Sequence, residues 1–83
     1  MPLYMDIHRN VPGVSREALQ QAHQKDLAVQ SKYGVNYINY WYSEPDKSVF
    51  CLVEAPNESA ATAVHREAHG LTADELVEVK QGA

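Results

Sequence analysis

The chain has 83 residues, 45% hydrophobic and 22% charged, with a formal net charge of −4. That length suits one domain over residues 1–83 with a thin core, and scattered Lys and Arg on an acidic chain exclude nucleic acid or an anionic membrane surface as partner. A lone cysteine, Cys51, excludes an internal disulfide and points to a reducing compartment, the cytoplasm, while no signal peptide or bilayer-length apolar run is evident.

Residues Pro2 to His8 alternate in the manner of a strand. The alternation predicts Leu3, Met5 and Ile7 against the core, with Tyr4, Asp6 and His8 on the opposite face. Pro12-Gly13 breaks the strand, and Ser15 is placed to cap a first helix running from about Arg16 to Tyr33, ended by Gly34. Ala18, Leu19, Ala22, Val29 and Tyr33 fit its buried stripe at 3.6 periodicity. His23 stands at the border of that stripe with Asp26 three residues on. It reads either as a structural histidine bonded to a neighbouring acid or as a metal ligand paired with Asp26.

Val35 to Ser43 is rich in Tyr, Ile, Val and Trp and suits a second strand. Glu44-Pro45-Asp46-Lys47 is a turn, and Ser48 to Ala55 returns as the third strand. With Ser43 opposite Ser48, Trp41 faces Phe50, Asn39 faces Leu52 and Tyr37 faces Glu54. A bulge would flip that parity. On this register Val49, Cys51 and Val53 share the core face with Ile38 and Tyr40. The other face carries Tyr4, Tyr37, Trp41, Phe50 and Leu52, an aromatic patch that predicts a homodimer interface.

Asn57 caps a second helix, whose Ala61, Val64 and Ala68 make a narrow seam against the sheet. His65 and His69 flank the seam at i and i+4, a spacing at which both rings reach one metal ion. The same pair at a helix end also complements the helix dipole when protonated. As flank residues they are expected to be replaceable by Ala with less than about 1 kcal/mol lost. Gly70 suits the left-handed position that ends the helix, with Leu71 folding back as an apolar contact. Leu76 to Lys80 forms a final edge strand.

The order of elements predicts an α+β ferredoxin-like βαββαβ sandwich, an antiparallel sheet with two helices on one face. That topology brings His8, His65 and His69 to one end. Together with His23, Asp6 and Asp26 they form an imidazole and carboxylate set suited to Ni²⁺, or to Zn²⁺ or Cu²⁺. Arg66, not Glu, follows His65, so the metalloprotease helix pattern is absent. An alternative is a dimeric αβ-barrel enzyme, monooxygenase- or isomerase-like, with a pocket on the aromatic sheet face beside His8, Asp6 and Glu54.

Several stretches carry a family resemblance: the opening Met1-Pro2-Leu3-Tyr4-Met5-Asp6, Ala22-His23 with Asp26-Leu27, and Tyr40-Trp41. More specific are Phe50-Cys51-Leu52-Val53-Glu54-Ala55-Pro56 and Val64-His65-Arg66-Glu67-Ala68-His69-Gly70-Leu71. In these the chain resembles the small bacterial nickel-binding proteins best known from Streptomyces, a group otherwise catalogued as a domain of unknown function. The resemblance implies a ferredoxin-like homodimer that binds nickel and sequesters or buffers it.

Overall fold

A computed structural model describes residues 1–82. Strand β1 (Leu3–His8) leads to helix α1 (Arg16–Val29), which tightens into a 3₁₀ turn over Gln30–Tyr33. Strands β2 (Asn36–Ser43) and β3 (Ser48–Glu54) form a hairpin; helix α2 (Glu58–Ala68) and strand β4 (Glu75–Val79) follow. The four strands make one antiparallel sheet in the order β2-β3-β1-β4. With the βαββαβ order, this is the ferredoxin-like α+β fold. No helix among the described residues is long and apolar enough to cross a membrane.

Local chemistry starts and stops both helices where the sequence suggests. Ser15 and Asn57 are extended, and their side chains accept the N–H groups of Ala18 and Ala60. Gly34 closes the 3₁₀ turn at φ 66°, where a Cβ would be strained. Gly70 is also left-handed, but Leu71 does not fold back onto α2. It is 50% exposed, and its N–H is donated to His69 Nδ1 at 3.1 Å.

The core is small-residued: Val53, Ala55, Ala61 and Val64 are fully buried, ringed by Tyr4, Val35, Tyr37, Val49 and Cys51. Val49, Cys51 and Val53 thus face inward as the hairpin register requires. Two expectations fail on the sheet. In β1 the inward set is Tyr4, Asp6 and His8, while Leu3, Met5 and Ile7 lie on the opposite face. Alternation fixes only that two sets point apart. The polar set goes inside because Asp6 and His8 pair with each other and His65 of α2 and Tyr37 of β2 meet Asp6 there. In β2 a bulge between Tyr37 and Asn39 shifts the register. Trp41 pairs with Phe50 and Asn39 with Leu52 as expected, but Tyr37 pairs with Val53. Tyr37 is therefore buried and Ile38 exposed.

Neither Tyr4 nor Tyr37 belongs to the open face of the sheet. That face is built from Leu3, Met5 and Ile7 of β1, Phe50 and Leu52 of β3, Trp41 of β2 and Val77 of β4, which are cross-strand neighbours. Trp41 is 51% exposed and Val77 47%. On α1 the stripe also departs from expectation. Ala18 is exposed, and the one buried residue of the helix is an acid, Asp26. Its burial follows from what α2 presents to it.

Candidate metal centre

Three elements deliver charged side chains into the layer between sheet and helices. Asp6 and His8 come from the inward face of β1, Asp26 from α1, His65 from the last turn of α2 and His69 from its C-cap. His65 is the hub, 2% exposed. Its Nδ1 lies 2.8 Å from Asp26 Oδ1, and its Nε2 lies 2.8 Å from Asp6 Oδ2. The first contact is an aligned hydrogen bond. The second is close but out of line, which leaves Nε2 a buried polar atom without a hydrogen-bond partner. Asp6 is also approached by His8 Nε2 at 3.0 Å, and it accepts the Tyr37 hydroxyl at 2.7 Å. Tyr37 also reaches the Ala61 carbonyl at 3.2 Å and stacks on the His65 ring, with centroids 4.5 Å apart. His69 Nε2 is 3.1 Å from the same Asp26 oxygen that His65 contacts.

Charge follows this geometry. Burial works to raise the Asp6 carboxyl pKa, but the His65 ring 2.8 Å away and the hydrogen bonds with His8 and Tyr37 override it and hold the group well below the carboxylate range. Asp26 behaves alike, its burial offset by His65 and His69. Burial would push the His65 imidazole down, but Asp26 and Asp6 on its two sides raise it to about 9. The metal-free centre is therefore an imidazolium between two carboxylates. Burial, with Asp6 nearby, pushes the Tyr37 phenol and the Cys51 thiol far up, so both stay protonated. Removing the phenol oxygen by Tyr37→Phe is expected to cost about 1–3 kcal/mol, since Asp6 loses a buried donor. Urea unfolding measures it, and an unchanged midpoint would contradict the role given to this hydroxyl.

Two donor sets can be drawn from these residues. One is Asp6, His8, Cys51 and His65; the other is Asp26, His65 and His69; within each, one ligand atom per residue lies within 4.8 Å of the rest. The sets share His65. Every member of the second set lines an open cleft of about 200 Å³. Asp6 does not line it, and Cys51 would have to ionise in an apolar setting to serve the first set. The second set is the better fit for a metal. His65 can ligate through Nδ1 while its unpartnered Nε2–H turns to Asp6, the carboxylate–histidine arrangement that commonly backs metal sites. His69 fits at one cost. To ligate through Nε2 as a neutral ring it must carry its proton on Nδ1, and so must release the Leu71 N–H.

Among the residues singled out from sequence, Asp6, His8, Asp26, His65 and His69 come together. His23 does not join either donor set; it lines the same cleft, its ring 5.0 Å from that of Tyr40. Tyr37 and Cys51 were not anticipated at the site. The bulge hid Tyr37, and Cys51 carried only its inward parity as a signal. Of the groups expected beside a pocket on the open sheet face, Asp6 and His8 turn to the helix side, while Glu54 stays on that face opposite Leu3 and accepts from Asn36 at 3.2 Å.

The comparisons agree with this architecture. The structure resembles that of SCO4226 from Streptomyces coelicolor A3(2), solved by crystallography, with a TM-score of 0.90 and 38% sequence identity over 98% of this chain and 99% of that one. No curated protein matches the chain. The family described as nickel responsive protein SCO4226-like matches residues 4–79. On that match, which runs from Tyr4 in β1 to the end of β4 and takes in every donor of the buried centre, the chain belongs to the SCO4226-like nickel-responsive family.

Proposed function

We propose that this protein binds nickel through Asp26, His65 and His69, with Asp6 as the carboxylate behind His65, and that it sequesters or buffers the ion in the cytoplasm. The observation that carries the reading is the convergence of those three donors on one side of an open cleft. Two imidazoles and a carboxylate suit a borderline divalent ion, so Zn²⁺ and Cu²⁺ compete for the same atoms. Membership of a nickel-responsive family favours nickel among them. Nickel titration by calorimetry tests the proposal. Wild type should bind saturably below millimolar, His69→Ala at least tenfold more weakly, and His23→Ala like wild type. Undiminished binding by His69→Ala would remove α2 from the site.

We also propose that two copies associate through the open sheet face. Leu3, Met5, Ile7, Trp41, Phe50, Leu52 and Val77 share that face, with Trp41 and Val77 about half exposed, and contiguous apolar faces of this kind commonly mark association surfaces. Leu52 lies between Met5 and Asn39 at its middle. Leu52→Asp should sediment as a monomer and keep its nickel affinity, because the donors lie on the other side of the sheet. A variant that remains dimeric would place the interface elsewhere.

A further inference from the structure

The cleft in front of the donors is drier than an ion needs. It holds about 200 Å³. Its walls beyond His65 and His69 include Val11, Pro12, Leu19, Ala22 and Leu71, with the polar Arg9, Asn10, Thr72 and Asp74 beside them. The apolar part of that wall stabilises no hydrated ion; a concave space that joins apolar walls to convergent polar groups is the usual form of a small-molecule site. The far wall is held in place by the chain itself. The Arg9 N–H donates to Asp74 Oδ2 at 2.6 Å, and the Asp74 N–H to the Ile7 carbonyl, tying the loop after α2 to the end of β1.

We propose that the cleft takes a small neutral organic molecule, with a nitrogen donor bound to the metal and an apolar ring or short chain against Leu19 and Leu71. This inference rests on the nickel reading above. Charge selects the class of ligand. A divalent ion beside Asp26, with Asp6 behind His65, is already neutralised by two carboxylates. An anionic ligand would leave a net negative charge in a buried site, and a protonated amine has no lone pair to give. A neutral nitrogen donor adds to the ion's ligands without disturbing that balance, and it suits the same borderline metals as imidazole does.

Imidazole and 4-phenylimidazole are the probes, titrated by calorimetry into the full chain with and without saturating nickel. Nickel alone is titrated first, so failure of the metal reading shows at that step and overturns this inference with it. With nickel bound, 4-phenylimidazole should bind at least tenfold more tightly than imidazole. Leu71→Ser, at an exposed position that makes no core contact, should abolish most of that difference and leave nickel affinity unchanged. Leu19→Ser should do the same, with circular dichroism reporting its fold. Equal affinity for the two probes would overturn the proposal, as would equal binding of 4-phenylimidazole without metal. So would a preference that both variants retain.

Discussion

His65→Ala is expected to destabilise the metal-free protein by about 3–5 kcal/mol, the range found when one partner of a buried ion pair is removed. Asp6 is 1% exposed and Asp26 3%. Each has a His65 nitrogen within 2.8 Å. Without that ring the Asp26 carboxylate keeps only His69, and Asp6 keeps His8 and Tyr37. Two negative charges then share a cavity with no buried cation between them. One must take up a proton or draw in water, and either response costs stability at neutral pH. For a domain of this size each kcal/mol moves the melting temperature by about 4–8 °C. The variant should therefore melt some 12 °C or more below wild type. His69→Ala should lose about 1 kcal/mol, since Asp26 retains its shorter bond to His65. A His65→Ala melting temperature within a few degrees of wild type would mean that the buried carboxylates do not need the imidazolium.

This expectation reverses the one drawn from the helix pattern, and the reversal shows which information the sequence holds. The i, i+4 spacing of His65 and His69 correctly puts both on one side of α2. Flank residues are usually solvated, however, and the spacing cannot say that α1 will present Asp26 and β1 will present Asp6 to the same ring. The order of elements, both caps and the hairpin register as far as Asn39 were legible, because capping chemistry and turn length fix them locally. The facing of β1 was not. Three apolar residues alternate with Tyr4, Asp6 and His8, and the hydrophobic rule assigns the apolar set to the core. That rule presumes one buried face. Here both faces of β1 are apolar environments: one holds the core and the centre, the other the patch proposed to meet a second copy. The clue available in sequence was Asp6 and His8 at i and i+2. An acid and an imidazole on one side of a strand can satisfy each other and go inside together. Tyr37 was hidden by the bulge, which nothing in Asn36-Tyr37-Ile38-Asn39 announces.

Stability and nickel affinity should run in opposite directions between pH 6.5 and 9. The folded His65 holds its proton up to about 9, against about 6.5 in the unfolded chain. Between these values the folded state binds the extra proton, so stability falls as pH rises. The full contribution is present below 6.5 and is gone above about 9, a change on the order of 3 kcal/mol. Asp6 and Asp26 act at the other end. Their folded pKa values are depressed, so their contribution is present above about 4 and is lost on further acidification. The metal-free protein should thus be most stable between about pH 4 and 6.5. Nickel needs the lone pair that this proton occupies. Each pH unit below 9 therefore weakens binding about tenfold, and pH 7 lies about two decades under the alkaline plateau. An ordinary imidazole site would have reached its plateau by about pH 7.5. Nickel affinity measured against a competing chelator at pH 7, 8 and 9, with thermal melts of the metal-free protein at the same values, tests both limbs. If affinity levels off by pH 7.5 while metal-free stability still falls toward pH 9, His65 is the buried cation of the fold and no ligand, and the metal must be held by other donors.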